Sequence, residues 1–431
     1  MKLTPSRRLY VLGVVMLVAL TICSRKFGSM GGPSFLILLG IAGIAYLLAI
    51  RELFSTPRFP RHVIFIGLAF AALWHLPFLL MPPGSDDDIH RYLWDGRVQR
   101  LGYNPYIVVP SDPALARLHT PETRTLNNPD LPSPYPAGAE VFFRAVTAIH
   151  ESIFTLKIAF VVCDLAIVFV LLDILHSSRQ GLHWVLAYAW NPLPATEVAG
   201  SGHIDIVGVL LLLVSLAALG RRWRAVAALA LGLAVAVKLL PIVLLPLYWK
   251  RVRMRDGVLA AVVVGLLYVP FLNHGRVPIG SLGTYVQSFR FNDPVFATLE
   301  RVAAPQLVVG LAVLVGFLTA ICLRRLRKSA AWSSDAFAWP MAASLLCAPV
   351  VYPWYLLWLL PFLRSASTLP IIVWTVSIIP TYYVWQLRTL GRPWIVPGWI
   401  MLLEYGCVVM SAAIILLRRI TRAAAPQCST D

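Results

Sequence analysis

The chain has 431 residues, of which 58% are hydrophobic and 13% are charged. So few charged residues cannot cover the surface of a water-soluble protein of this length, but they suit a bundle of helices in lipid. The formal net charge of +17 at pH 7 would suggest a nucleic-acid partner in a soluble protein. Here the basic residues lie mainly at the ends of apolar segments, so we expect a membrane protein without a nucleic-acid partner.

Apolar runs long enough to cross, or nearly cross, about 30 Å of hydrocarbon recur along the whole chain. They lie at 9–23, 34–50, 62–81, 153–176, 204–219, 257–272, 306–323, 336–351, 369–385 and 397–417. Three more stretches are broken or short, at 182–199, 225–249 and 354–363. Half-helices are tolerated at membrane depth where protein or a wet cavity satisfies the freed backbone groups. The sequence therefore predicts an all-α polytopic membrane protein, one domain over 1–431, with roughly 11–13 transmembrane or half-membrane helices.

Basic residues predict the orientation of this bundle. If the N-terminus is cytoplasmic, more than half of the 37 Lys and Arg fall in cytoplasmic segments, as the positive-inside rule expects. The first apolar run lacks a convincing signal-peptide cleavage site, so we expect it to be retained as a span. Both termini are then predicted to be cytoplasmic. The loops 82–152 and 273–304, here named the first and the second outer loop, are predicted to lie outside the cytoplasmic membrane.

The strongest signal for chemistry is GSDDDIHRYLWDGRVQRLGYNPY at 84–106, directly after the third apolar run. Its apolar residues recur near helical spacing, which predicts a short amphipathic helix at the outer surface. Asp86, Asp87 and Asp88 stand at the start of that helix. One aspartate is enough to cap a helix. Three adjacent carboxylates repel one another and tend to raise at least one pKa, which suits a general base or a cation site.

Two further properties of the acidic triplet are left open by the sequence. Arg91 follows Asp87 by four residues and Asp88 by three, so it can hold one carboxylate ionised, or it can form a plain surface salt bridge. The carboxylates of Asp86 and Asp88 also leave room for a divalent cation, Mg²⁺ or Mn²⁺, as a cofactor. Carboxylates alone do not show that such an ion is bound.

This run resembles the first-outer-loop motif of bacterial GT-C membrane glycosyltransferases, in particular the polyprenol-phosphate-mannose-dependent mannosyltransferases. A pattern close to SDD-x-Y-R-Y-x-W-D-G-R-V-Q-x-x-G-x-N-P-Y is typical of them. Aligned on Arg91, the acidic pair of the family falls on Asp87 and Asp88, and His90 replaces the commoner tyrosine. Five further segments resemble the same family: YPAGAE at 135–140, NP followed by GSGHID at 191–205, VKLLPIVLLPLYW at 237–249, SFRFNDPVF at 288–296 and YPWYLLWLLPF at 352–362.

Several ionisable residues are candidates for binding the donor phosphate or a substrate. His203 and Asp205, with Glu197, lie at the outer end of a proline-broken segment, where ionisable residues are functional candidates or are simply hydrated at a loop end. Lys238, in an otherwise apolar run, can bind a lipid phosphate as a point charge or extend towards the headgroups. Arg290, in the second outer loop, can stabilise a departing phosphate or be a solvated loop residue.

Four aromatic residues complete the candidates for substrate binding. Trp94 and Tyr135 belong to the first outer loop. Tyr352 and Trp354 mark a membrane interface, where aromatic residues are enriched in any case, so they form an aromatic belt or a surface for sugar stacking.

The resemblance implies a reaction. A hexose, mannose in that family, leaves a polyprenyl-phosphate carrier and joins a hydroxyl of a glycan or lipid acceptor at the outer face, with inversion and with Asp87 or Asp88 as the general base. A nucleotide-sugar donor fits badly, because no Gly-rich phosphate cradle is present. The alternative is a transporter or flippase of a lipid-linked sugar, in which the relay residues are Glu197, His203, Asp205 and Lys238. No internal repeat of the kind typical of transporters is found.

Overall fold

The computed structural model describes residues 3–85, 88–273, 278–326 and 335–424. It is 75% helical and has no strands among these residues; the backbone pairs in an extended form only at an isolated bridge between Phe291 and Val350. The prediction of an all-α fold is confirmed.

Eighteen α-helices are present in the described ranges. The first nine are α1 Pro5–Ser24, α2 Pro33–Ser55, α3 Arg61–Leu80, α4 Asp88–Arg100, α5 Ala137–Ile149, α6 Ile153–Ser177, α7 Val185–Ala189, α8 Asp205–Gly220 and α9 Arg224–Val237. The other nine are α10 Leu245–Tyr248, α11 Met254–Tyr268, α12 Leu282–Ser288, α13 Pro294–Leu299, α14 Pro305–Leu326, α15 Asp335–Leu346, α16 Leu369–Ser377, α17 Tyr383–Thr389 and α18 Gly398–Ala424.

Eight of the described segments are helical, long and apolar enough to cross a membrane. They are Pro5–Ser24, Pro33–Ser55, Arg61–Leu80, Ile153–Ser177, Met254–Phe271, Pro305–Leu326, Ala366–Thr389 and Gly398–Leu417. Three shorter apolar helices, Asp205–Gly220, Arg224–Val237 and Ala336–Leu346, bring the number of apolar elements to eleven. The chain is therefore a multi-pass membrane protein, at the lower end of the predicted helix number.

Two ion pairs show which helix ends share a face of the bundle. Arg8, near the start of α1, lies 2.9 Å from Glu52, near the end of α2. Arg221, in the turn after α8, lies 2.5 Å from Asp173, near the end of α6. Most of the basic residues next to the spans lie at these helix ends. We name this end of the bundle, which carries Arg8 and Arg221, the basic face. The helices α4 and α5 of the first outer loop lie at the opposite end.

The helix predicted after the acidic triplet forms as α4, but it does not lie on the surface as expected. Nine of its 13 residues are buried, including the polar side chains of Arg91, Asp95 and Gln99. The reason is that α5 and the 3₁₀ turns at Pro113–Leu118 and Thr123–Thr125 cover it. The first outer loop is thus helical, as predicted, but packed, and its polar side chains need partners inside the loop.

The stretch predicted to be broken at 182–199 contains a π-helix, Pro194–Ser201, which follows α7 and the polar Asn191. It ends at Gly202, whose φ of +82° is left-handed. The backbone N–H groups of Gly202 and His203 both donate to the carbonyl oxygen of Glu197, at 3.0 and 2.9 Å. A π-helix is rare and is often found at functional sites. Glu197 in this π-helix and His203 just after it are both buried.

Lys157 fixes the chain that leads from α3 to the acidic triplet. Its Nζ donates to the carbonyl oxygens of Phe78 and Met81, at 2.8 and 2.7 Å, and the side chain is buried. Carbonyls in the last turn of a helix have no intrahelical partner, and a lysine there also complements the helix dipole. A single buried cation on α6 therefore holds the end of α3 against the bundle.

Gly202 offers a test of this architecture. A Cβ at Gly202 would lie 2.5 Å from Cδ1 of Ile89 and would occupy a left-handed conformation. Gly202→Ala should destabilise the purified protein by about 2 kcal/mol or more, from backbone strain and overpacking. Gly265→Ala is the matched control, because nothing lies within 4 Å of its Cβ position in α11. Unfolding in mixed micelles measures both; equal stability of the two variants would contradict the packing described.

Candidate active site

The centre of the candidate site is the buried imidazole of His203. Its Nδ1 lies 3.9 Å from Oδ2 of Asp88, the first residue of α4. Its Nε2 lies 3.1 Å from Oε2 of Glu197, which is also buried. The ring is stacked on Trp354, with 3.9 Å between the ring centroids. His203 is therefore held between two carboxylates and one aromatic face.

The π-helix accounts for the position of this unit in the bundle. Glu197 projects from it, and His203 follows directly after the left-handed turn at Gly202. The hydroxyl group of Tyr382, from the turn before α17, donates to Oε1 of Glu197. Gly200 has no side chain where one would meet the ring of Phe27 at 2.6 Å. The acid and the imidazole are thus placed by backbone geometry and by close packing.

A second charged pair joins the ends of α8 and α9. Nζ of Lys238, directly after α9, lies 2.6 Å from Oδ1 of Asp205, the first residue of α8. The indole N–H of Trp358 donates to the same oxygen at 2.7 Å. Lys238 also lies 3.5 Å from the centroid of the Tyr355 ring. Gly208 lets Trp358 approach, because a Cβ there would lie 2.2 Å from that ring.

Three tyrosines, Tyr135, Tyr285 and Tyr355, lie close to these charged side chains. Burial, and next the charge of Asp88, raise the pKa of Tyr135 well above its usual value. Burial is also the main cause that raises the pKa of Tyr285, and the charges of Asp88 and Asp205 add to it. The hydroxyl oxygens of Tyr285 and Tyr355 are 2.6 Å apart. Phenol hydroxyl groups, which donate and accept hydrogen bonds, therefore lie near Asp88 and Asp205.

Asp88 has one solvated side. Its side chain is 22% exposed, and Nδ2 of Asn127 donates to its Oδ1 at 2.5 Å. Asp86 and Asp87 lie outside the described residues. In the part of the chain that is described, no three His, Cys, Asp or Glu side chains come close enough together to hold a metal ion. A cation at Asp86 and Asp88 therefore stays a prediction.

Arg91 has partners within the first outer loop. Its Nε donates to Oδ1 and Oδ2 of Asp95, at 2.9 and 3.1 Å, and its Nη1 donates to the carbonyl oxygen of Leu131 at 2.9 Å. Glu140, which is also buried, accepts hydrogen bonds from the Ser133 hydroxyl and from Nε2 of Gln99. Burial, together with the charge of Asp95, raises the pKa of Glu140 well above its usual value. The Arg91–Asp95 pair and the buried carboxyl group of Glu140 thus form the interior of this loop.

The remaining candidates differ in their distance from this centre. Tyr352 is stacked on Trp354, with 4.3 Å between centroids, and joins the site. Trp94 is buried in a separate apolar cluster and stacks on His119 at 4.1 Å. Arg290 is paired with Glu300 at 2.7 Å and lies over the ring of Phe296. Neither Trp94 nor Arg290 has a described contact with His203, Lys238 or Asp88.

Sequence reasoning missed two groups of polar residues. Tyr285 and Tyr382 reach the site from distant segments, and neither stands in a pattern that marks it. Glu404, alone in the apolar run of α18, had such a signal, because an acid in a span is a functional candidate. It accepts hydrogen bonds from Nδ2 of Asn292 at 3.0 Å and from Nε1 of Trp374 at 2.6 Å. It ties the last span to the second outer loop.

Asp95 and Glu140, two buried acids of the first outer loop, should differ in how much their replacement lowers the stability of the protein. Asp95→Asn should destabilise the protein by about 3 kcal/mol, because it leaves the guanidinium of Arg91 buried without its counter-charge. Glu140→Gln should cost less than about 1 kcal/mol, since burial raises the pKa of Glu140 and so favours the uncharged carboxyl, whose shape an amide reproduces. Unfolding of the purified variants at pH 7 measures both values. Equal losses would show that Glu140 is charged too.

A comparison with models of protein families identifies the family of this chain. The model of the MptA_B family, described as Alpha-(1->6)-mannopyranosyltransferase, N-terminal domain, matches residues 11–252. The matched range includes α4, the π-helix, Asp205 and Lys238, whereas Trp354 and Tyr382 follow it. No curated protein and no solved structure matches the chain. Because the match covers more than half of the 431 residues, the chain belongs to this family of membrane mannosyltransferases.

Proposed function

We propose that the protein transfers mannose from a polyprenyl-phosphate-mannose donor to a hydroxyl of a glycan or lipid acceptor, with inversion. A carboxylate of the acidic triplet is the general base, and among the described residues that carboxylate is Asp88. One observation carries the proposal: Asp88, partly open to solvent, contacts His203 in the same region as the Lys238–Asp205 pair. A base, a fixed cation and a set of hydroxyl groups are the parts that such a transfer needs.

The base must take a proton from the attacking hydroxyl while the bond to phosphate breaks. Asp88 is a suitable acceptor, since it faces solvent on one side and His203 on the other. Glu197 holds the far nitrogen of His203 and so fixes the orientation of its ring. In this arrangement His203 positions the Asp88 carboxylate and offsets its charge when the imidazole is protonated.

The phosphate that leaves carries growing negative charge, which a nearby cation stabilises. Lys238 has three N–H donors, and Asp205 accepts one of them. The other two can bind phosphate oxygens. Asp205 Oδ2 is buried and has no hydrogen-bond partner among the described residues, so an unused acceptor lies beside the ammonium group of Lys238. The pair thus offers a donor and an acceptor side by side.

The aromatic residues have different roles in this proposal. Trp354 is covered by His203 on one face and by Tyr352 on the other. No face is left on which a sugar ring can stack, so we assign Trp354 a positioning role. Tyr135, Tyr285 and Tyr355 instead present hydroxyl groups near the acids. They are the proposed contacts for sugar hydroxyls.

We place this site at the outer face of the cytoplasmic membrane, with both termini cytoplasmic. The support is the positive-inside rule, by which the end of a membrane protein that is rich in Lys and Arg faces the cytoplasm. That end is the basic face, which carries Arg8 and Arg221 and lies opposite the site. The first and second outer loops, 82–152 and 273–304, then flank the donor and the acceptor. Family membership favours a transferase, so no observation calls for the transporter alternative.

A transfer assay with defined lipids tests the base. With polyprenyl-phosphate-mannose and a labelled acceptor, Asp88→Asn should lower kcat/KM by about 10²- to 10³-fold, because an amide cannot accept the proton. Asp130→Asn is the matched control, since Asp130 is exposed in the same loop. Loss in Asp87→Asn with normal transfer in Asp88→Asn would move the base to Asp87. Transfer from a nucleotide sugar without any lipid donor would refute the proposed donor.

The cation has its own test. Lys238→Gln should lower kcat by about 10²-fold and change KM for the donor less, because the charge on phosphate grows in the transition state. Lys250→Gln is the matched control, since Lys250 is exposed at the basic end of the bundle. An unchanged kcat in Lys238→Gln protein that folds normally would remove this residue from the chemistry.

A further inference from the structure

A cavity of about 330 Å³ opens on the basic face, away from the active site. Its lining contains four guanidinium groups and a single carboxylate, and the residues are Arg222, Arg224, Ala225, Arg253, Arg255 and Asp256. The carboxylate lies 3.7 Å from Arg255. Three arginines therefore have no carboxylate of their own in the lining, and the cavity is strongly positive.

The α8–α9 hairpin shows how far this cavity is from the active site. Asp205 starts α8 and Lys238 follows α9, and these two residues pair at one end of the hairpin. Arg222 lies in the turn at the other end. Sixteen residues of α8, at about 1.5 Å each, separate the ends by about 24 Å. The cavity therefore opens at the opposite membrane surface, and no reacting group reaches it.

Two tryptophans mark the depth of the cavity in the membrane. Trp223 stands between two of the lining arginines and is 59% exposed, and Trp249 precedes the basic turn before α11 and is 63% exposed. Tryptophan is enriched at the level of lipid headgroups. The arginine cluster is accordingly at headgroup level, where phosphate groups are the abundant anions.

Backbone groups add to the positive potential. Both α9 and α11 begin at the cavity, and among the described residues no side chain caps the first turn of either helix at Trp223 or Arg253. The free N–H groups of a helix start attract phosphate. Arginine binds phosphate oxygens with two parallel N–H groups.

We propose that this cavity binds the phosphate headgroup of an anionic phospholipid in the leaflet opposite the active site. Basic pockets between transmembrane helices bind such headgroups. The site is separate from that of the lipid-linked sugar, and it does not depend on the proposed transfer reaction. Its ligand is the headgroup of a resident lipid, whose acyl chains lie along the exposed apolar surface of α11.

The test measures binding of phosphatidylglycerol to the full-length protein in phosphatidylcholine nanodiscs at fixed ionic strength. The double variant Arg224→Gln/Arg253→Gln should bind about twenty-five-fold more weakly, because each arginine in contact with the anionic headgroup contributes roughly fivefold. The double variant Arg58→Gln/Arg61→Gln loses the same charge from exposed residues beside the start of α3, outside the cavity. It should lose less than about twofold.

Three outcomes would overturn the proposal. Equal losses in the two double variants would show diffuse attraction to the whole basic face. Displacement of the lipid by inorganic phosphate at millimolar concentration would show a soluble anion as the ligand. Unchanged binding in Arg224→Gln/Arg253→Gln would show that the cavity holds no headgroup. Thermal unfolding in detergent verifies that both variants fold, so a loss of binding is read only from folded protein.

Discussion

The ion pair between Asp205 and Lys238 is the constraint on which the rest of the site depends. Charges near the hydrocarbon are costly unless they are paired and hydrogen-bonded. These two side chains are 2.6 Å apart at the open end of the α8–α9 hairpin, where α8 begins and α9 ends. The pair closes the hairpin, fixes the register of two helices, and holds Trp358 against Asp205. Because each charge needs the other as a partner, the pair keeps the hairpin closed and also places the Lys238 cation in the site.

Other buried acids and bases also have polar partners inside the protein, from the same helix or from distant segments. Arg91 is matched by Asp95, Lys157 by two carbonyl oxygens of α3, and Glu404 by amide and indole donors. The contacts of Lys157 and Glu404 join the end of α3 and the second outer loop to the transmembrane bundle. Buried polar contacts such as that of Lys157 therefore hold the chain that leads to Asp88 against the bundle.

The site is also assembled from both halves of the chain. Asp88, His203, Asp205 and Lys238 fall within the family match over 11–252, while Trp354 and Tyr382 follow it. Those later residues cover the imidazole and bind Glu197. The matched half carries the ionisable groups that we assign to the transfer. The second half supplies Trp354 and Tyr382, which bury His203 and Glu197 and fix the orientation of these two side chains. Burial strengthens the electrostatic interaction between them.

The sequence by itself determined the all-α membrane fold and the family, because apolar length and the Asp-rich motif are local patterns. It also indicated His203, Asp205 and Lys238, since ionisable residues in apolar segments are costly wherever they occur. Tertiary structure alone decided that His203 contacts Asp88 and that Arg91 pairs inside α4. It also decided that Tyr285 and Tyr382 join the site. Such contacts span up to 185 positions along the chain, and packing, which no local periodicity encodes, brings these residues together.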